Sequence, residues 1–247
     1  MKAIILAGGF AKRMWPLTLD RPKPLLPIGN GFILDFVVEK ILNVKAIDEV
    51  IISTNKRFEV KFQDWIRERG HRNIKVFPEP SLKEEEKLGP VRGLEMILRD
   101  ASPDEYLIAA GDNLFSLDIT EMVLFYRKVK STIVALYEIG SQKLARQYAC
   151  VELDENSRIV GFEEKPAKPR SLLISTGIYL LPWSSASKMG LYLDEGNPSD
   201  PIGRFIGWLA AHEDTYGLKF SGYWYDIGSL ESYGAAQKDF KSRSYQK

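Results

Sequence analysis

Short β-branched or apolar runs alternate along this chain with longer segments whose apolar residues recur at helical spacing, and that alternation leaves few folds open. The runs are KAIILA from Lys2, EVIISTN from Glu49, NIKVF from Asn73, YLIAAG from Tyr106 and STIVALYEI from Ser131. They are near-continuously apolar rather than alternating, so each predicts a strand covered on both faces. Between them, FILDFVVEKILNV from Phe32, KRFEVKFQDWIRERG from Lys56, VRGLEMILRD from Val91 and DITEMVLFYRKVK from Asp118 predict helices, the second stopped by Gly70. This β-α-β-α order predicts an α/β fold with a mostly parallel central sheet and helices on its faces.

After about Ala145 the texture changes. YACVELDENSRIVGFEEK reads as two strands joined by the polar turn Asp154–Ser157, a hairpin signature. A third run, LLISTGIYLLP, is followed by helical stretches near Pro182–Gly190 and Pro201–His212, strand-like KFSGYWYDIG and a final helix from Leu230. A chain of 247 residues lies between one and two domains at roughly 150 residues each. With no linker, composition break or repeat of solenoid length, one domain over 1–247 is expected, with lobes meeting near residue 115. No hexapeptide-repeat extension, and so no C-terminal β-helix domain, is expected after the last helix.

Charge narrows the partners. Lys and Arg number 34 against 33 Asp and Glu, so no overall field attracts nucleic acid, and small anions are the better expectation. Cys150 is the only cysteine, which excludes an internal disulfide and a thiolate metal cage built by one chain, and fits a reducing, cytoplasmic setting. No apolar stretch approaches the roughly 20 residues of a membrane helix.

Four segments carry chemistry. GGFAKRMWPLTLDRPKPLLPI, Gly8 to Ile28, follows the first predicted strand, where open parallel sheets bind ligands. Gly8 and Gly9 permit close backbone approach, Lys12, Arg13, Arg21 and Lys23 supply cations, and four prolines stiffen the segment. It is neither a Walker A loop nor a dinucleotide fingerprint, and on its own a tight turn with solvated basic residues is the better reading. Gly111-Asp112-Asn113 puts a carboxylate at a strand end, where it can hold Mg²⁺ or cap the next element. FEEKP, Phe162 to Pro166, is a charged strand end. In GYWYDIGS, Gly222 to Ser229, Asp226 sits among aromatic neighbours and needs a partner if buried.

In this order and over nearly the whole chain, GGFAKRMWPLT with RPKPLLPI, then GDN, EEKP, STGIY and WYDIGS, resemble the sugar-1-phosphate nucleotidyltransferases. These are the NDP-sugar pyrophosphorylases, among them glucose-1-phosphate thymidylyltransferase. The resemblance implies a Rossmann-like nucleotidyltransferase fold with an added sugar-binding β-hairpin region. It implies a nucleotide-binding lobe over about 1–115 and a sugar-phosphate-binding lobe over about 116–247. The implied reaction is Mg²⁺-dependent transfer from an NTP to a sugar 1-phosphate, with glucose 1-phosphate and dTTP or UTP as the default pair. Carried over by position, Arg13 and Lys23 become catalytic groups that neutralise phosphates. Leu6, Ala7, Gly8, Gly9, Gly89 and Gly111 line the nucleotide, and Asp112 and Asp226 hold Mg²⁺. Tyr148, Glu164, Lys165, Thr176 and Gly177 form the sugar-phosphate pocket. No nucleic acid or membrane partner is implied, and there is room for a homo-oligomer. Two alternatives stand beside this reading: cytidylyl or guanylyl transfer to another phosphorylated alcohol, and a catalytically weak, nucleotide-binding regulator.

The residues suit the chemistry. A sugar 1-phosphate is largely dianionic at pH 7, since its second pKa is about 6, so attack on an α-phosphorus asks for no general base. His71 and His212, the only histidines, lie outside every motif and read as structural. Positioning and charge neutralisation are the remaining requirements. Four positions depart from the family pattern. Ala11 and Lys12 stand where G-x-G-T-R has Gly and Thr, Arg92 stands where thymidylyl enzymes place a glutamine, and Ala149 replaces a glycine after Tyr148. An alanine at positive φ is strained, and Lys12 is expected to compensate with charge.

Overall fold

The computed structural model describes residues 1–243, with side chains through residue 240. In chain order the strands are β1 (Lys2–Leu6), β2 (Pro27–Ile28), β3 (Gly31–Phe32), β4 (Glu49–Asn55), β5 (Ile74–Glu79), β6 (Tyr106–Ala110), β7 (Asn113–Phe115), β8 (Thr132–Glu138), β9 (Ala149–Leu153), β10 (Ile159–Glu164), β11 (Leu173–Leu181), β12 (Thr215–Phe220) and β13 (Trp224–Asp226). The α-helices are α1 (Ile33–Leu42), α2 (Glu59–Arg69), α3 (Pro90–Arg99), α4 (Ile119–Val129), α5 (Gln142–Ala145), α6 (Trp183–Ala186), α7 (Met189–Asp194), α8 (Ile202–His212) and α9 (Leu230–Arg243). The fold is mixed α/β with Rossmann-like alternation, as the apolar runs predict. Among the described residues no helix is long and apolar enough to cross a membrane.

The chain divides into two compact units, neither continuous in sequence. One comprises Ala3–Lys87, Ala110–Ser116 and the segment from Tyr223. The other comprises Met1–Lys2, Leu88–Ala109 and Leu117–Gly222.

In the first unit β1, β4 and β5 lie in that order, with β4 and β5 parallel from Val50 opposite Ile74 to Asn55 opposite Glu79. Ala3, Ile4, Ile5, Val50 and Ile52 are fully buried, each large side chain contributing about 1.5–3 kcal/mol. Met14, Leu26, Ile28, Ile33, Leu114, Ile227, Tyr233 and Phe240 form a second core cluster. Three of these belong to the Gly8–Ile28 segment, so its apolar side chains anchor the backbone that carries Arg13 and Lys23. Asp35 ties α1 to α2: it accepts from the Phe32 amide at 2.7 Å and the Trp65 indole at 2.9 Å, and pairs with both ends of the Arg69 fork at 2.9 and 2.7 Å.

Burial alone would push the Asp35 carboxyl up, but its four donors hold it below the usual carboxylate range. Its stabilisation is therefore present above the unfolded pKa of about 3.9 and is lost as the pH falls through the lower folded value. Asp35→Asn is expected to cost about 1–3 kcal/mol, or roughly 2–12 °C in Tm at pH 7, with the gap to the parent chain narrowing towards pH 3. Thermal unfolding at several pH values tests this, and a pH-independent gap contradicts it.

In the second unit β11 is antiparallel to β6, β8 and β9. β9 and β10 form the expected hairpin, and β12 adds to β8 in parallel. Thr132 through Leu136 of β8 are fully buried, which explains their unbroken apolar run. KFSGYWYDIG, read as one strand, is two. Gly222 adopts φ 100°, and the chain leaves β12, beside β8, to form β13, which pairs with β7.

Candidate active site

At the end of β1 the backbone of Leu6–Gly8 is held from both sides. The Ala7 amide donates to the Ser53 carbonyl at 2.7 Å, the Thr54 hydroxyl to the Ala7 carbonyl at 3.3 Å, and the Asn55 side-chain amide to the Gly8 carbonyl at 3.1 Å. Opposite these, the Gly111 amide donates to the Leu6 carbonyl at 2.9 Å. A Cβ on Gly111 would meet Ile5 at 2.9 Å, the Leu6 carbonyl oxygen at 3.1 Å and Pro24 at 3.3 Å, so glycine is what lets Asp112 come this close. Around Gly9 there is open space.

The charges gather beside this backbone. Lys23 opens a short 3₁₀ turn, Lys23–Leu25, whose Pro24 and Leu25 are buried, and its ammonium forms an ion pair with Asp112 Oδ2. Burial is the largest single influence on the Lys23 ammonium and lowers its pKa, but the Asp112 and Asp226 carboxylates together outweigh it, and the group ends above its ordinary value despite the opposing Arg13. The antiparallel pair β7–β13 sets Asp226 opposite Asn113, and the Ile227 amide donates to the Asp112 carbonyl at 3.2 Å. Arg13 is exposed and has no hydrogen-bond or ion-pair partner among the described residues. Arg13, Lys23, Asp112 and Asp226 thus share one electrostatic neighbourhood. The described residues contain no group of three or more metal-ligating side chains. Two carboxylates nevertheless fit Mg²⁺, which commonly takes one or two protein carboxylates and completes its shell with substrate phosphates and water.

Ala11 is left-handed at φ 50°, ψ 43°, the strain its sequence position predicts. Two hydrogen bonds to its carbonyl, from the Met14 amide at 2.9 Å and the Thr18 hydroxyl at 2.8 Å, hold it there. Ala11→Gly is expected to raise stability by about 1 kcal/mol, or roughly 2–4 °C in Tm, and an unchanged or lower Tm contradicts the strain. Lys12 does not extend free charge into the site: its ammonium is bonded to Glu85 at 2.7 Å in an exposed pair.

One residue escaped the sequence reading. Glu79, the last residue of β5, is 5% exposed and accepts from the Ser53 hydroxyl at 3.1 Å. Burial pushes its carboxyl up, and the Ser53 bond only partly offsets this. A Cβ on Gly8 would lie 3.2 Å from its Oε1 and 3.7 Å from its Oε2. The available signal was a carboxylate closing a mostly apolar strand, IKVFPE.

The expected sugar-phosphate residues, with Gly89, fall in the second unit. The Lys165 amide donates to the Tyr148 carbonyl at 3.1 Å, Lys165 is exposed at φ 50°, and Glu164 lies opposite Ala149 in the hairpin. Burial raises the Glu164 pKa, while Lys165 and Arg204 pull it down. A Cβ on Gly203, in the first turn of α8, would strike the Glu164 carboxylate. Thr176 is buried and donates to the Ala135 carbonyl at 2.9 Å, which makes it a backbone support. Gly177, at φ 77°, sits in a β-bulge between Ser175 and Tyr179. Gly89, at φ 83°, starts α3, and a Cβ there would lie 2.7 Å from the Ser199 carbonyl oxygen. Arg92 points along α3 to Glu95 at 3.6 Å. Both histidines pack on tryptophans, His71 tilted against Trp65 and His212 stacked on Trp208. A cavity of about 840 Å³ lined by Phe36, Leu42, His71, Tyr223 and Phe240, among others, includes none of the candidate residues.

Residues 2–243 match the family model described as nucleotidyl transferase. The chain is similar to glucose-1-phosphate adenylyltransferase 1 of Vibrio cholerae, at 29% identity over 96% of this chain and 65% of that protein. It is similar to the glucose-1-phosphate adenylyltransferase of Pseudothermotoga lettingae, at 30% identity over 94% of this chain and 58% of that protein. For the corresponding protein of Clostridium acetobutylicum the figures are 28%, 96% and 66%. The chain therefore spans between 58% and 66% of the length of these curated relatives. Among solved structures, a candidate glucose-1-phosphate thymidylyltransferase from Bacillus anthracis, crystallised with sucrose, matches with a TM-score of 0.83. It is 26% identical, and the match covers 98% of this chain and 95% of that one.

Proposed function

Because the chain belongs to the nucleotidyl transferase family, we propose that it transfers a nucleotidyl group from an NTP to a sugar 1-phosphate, with glucose 1-phosphate the first acceptor to try. The observation that carries this reading is the gathering of Arg13, Lys23, Asp112 and Asp226 beside the Leu6–Gly9 backbone. One phosphate oxygen of the sugar phosphate attacks the α-phosphorus, the bond from that phosphorus to the bridging oxygen breaks, and pyrophosphate carries the electron pair away. The step moves no proton that the protein must hold, so the side chains act by charge and position.

Lys23 serves the reacting phosphates: buried, raised in pKa and anchored by Asp112, its charge is permanent and its place set before substrate arrives. Arg13, unpaired and exposed, is free to meet the β,γ-phosphates with a planar fork of donors. Asp112 and Asp226 would hold Mg²⁺, which when bound neutralises phosphate charge. In the second unit Lys165 supplies the cation for the sugar phosphate, with Tyr148 and Glu164 beside it for sugar hydroxyls, and the Thr176–Gly177 bulge shapes the strand behind. Arg92, turned towards Glu95 on its own helix, is not a base reader in this reading.

Pyrophosphate release from mixtures of NTP, sugar 1-phosphate and Mg²⁺ tests the proposal. Release that requires both substrates is expected, as is its loss in EDTA and return with Mg²⁺. Silence across the NTPs and several hexose 1-phosphates, with nucleotide binding intact, would favour the regulatory alternative. The relatives are named for adenylyl and thymidylyl transfer, so the same reaction is carried out in the family with different bases.

A further inference from the structure

We propose that Glu79 reads the base of the nucleotide and selects guanine, so that GTP is the preferred nucleotide donor; this rests on the nucleotidyl-transfer reading of the same site. The Leu6–Gly8 backbone has two flanks. On one, Gly111 bonds to Leu6 and leads to Asp112, with Lys23 and Asp226 alongside. On the other, β4 bonds to Ala7 and Gly8 through Ser53, Thr54 and Asn55, and β5 lies beyond it, ending at Glu79. A nucleotide laid across glycines 8 and 9 with its phosphates at the cationic flank directs its base to the other, where the side chain against Gly8 is Glu79.

That carboxylate is poorly provided for by its own protein. One oxygen accepts from Ser53, and the other has no hydrogen-bond partner among the described residues, although the residue is 5% exposed. It is not among the polar atoms sealed without a partner, so its edge remains open. A buried carboxylate in this state calls for donors from outside.

An ionised carboxylate only accepts hydrogen bonds. Guanine presents two adjacent donors, N1–H and the 2-amino group. Uracil and thymine present a single N3–H between two carbonyls, so the second carboxylate oxygen would face a carbonyl oxygen. Cytosine and adenine each offer one amino group beside a ring nitrogen acceptor, with the same conflict. Selectivity of this kind comes from polar groups left unpaired with the wrong partner.

The test is pyrophosphate release by the full chain with GTP, ITP, ATP, UTP, dTTP and CTP, each with Mg²⁺ and a panel of hexose 1-phosphates. GTP is expected to lead every standard nucleotide by about tenfold or more in kcat/KM, with ITP, which keeps N1–H but lacks the 2-amino group, between GTP and the rest. Glu79→Gln, of the same shape, puts an N–H donor among the acceptors and is expected to reduce the GTP-to-UTP ratio by about tenfold or more. Turnover led by another nucleotide, or an unchanged ratio in the variant, overturns the assignment and leaves nucleotidyl transfer standing. If no nucleotide turns over, nucleotidyl transfer is what fails, and calorimetric binding of GTP against UTP then decides Glu79: preference for GTP supports it, equal binding refutes it.

Discussion

Asp112→Asn is expected to cut kcat by about 10²–10³-fold while moving Tm by no more than a few degrees. The amide keeps the size and shape of the carboxylate, so the contact between Gly111 and Leu6 and the β7–β13 pairing have no steric reason to change. What disappears is a negative charge with two uses. In the proposed reading it is one of two carboxylates that would hold Mg²⁺, and it is the larger of the two charges that offset the burial of Lys23. With Asp112 neutral, burial acts on Lys23 opposed chiefly by Asp226, so its pKa falls from its raised position. Steady-state kinetics at saturating substrates, with thermal unfolding as the control, measures both effects. Near-normal turnover would place the metal elsewhere.

Lys165→Ala is expected to raise KM for the sugar 1-phosphate by about 10–100-fold and to leave KM for the NTP within about twofold. A charge-assisted hydrogen bond to a phosphate is worth about 1.5–3 kcal/mol, and each 1.4 kcal/mol is a factor of ten. Lys165 is exposed and tied to Tyr148 through its own amide, which alanine retains, so the hairpin is expected to keep its fold. A loss confined to the NTP would remove Lys165 from the sugar-phosphate role. The two variants complement each other, since one acts on a charge cluster of the first unit and the other on a cation of the second.

Much of this was legible in the residues. Runs such as AIIL and IVAL are strands because they are covered on both faces, and a covered strand needs no pattern beyond apolarity. The positive φ expected at Ala11 is present, since a short loop with fixed ends has few conformations to choose from. Other features were not legible. β7 is three residues long, and its partner β13 lies over a hundred residues away in the chain, so no local pattern could announce the pairing that sets Asp226 beside Asn113. Lys12 read as charge for the site and is bonded to Glu85, a partner 73 residues away.

Glu79 shows the division most sharply. In the sequence it is one acid after a mostly apolar run, indistinguishable from the end of any strand. Its meaning comes from lying against Gly8 with a single protein hydrogen bond, and both circumstances depend on how β5 is placed relative to β1 and β4. Local periodicity, turn chemistry and ordered motifs specify the elements, the α/β class and the family, because those follow from neighbours within a few residues. Which charges meet, which are neutralised within the protein and which are left for a ligand follow from contacts between distant segments, where burial and hydrogen-bond supply become definite once the chain has packed.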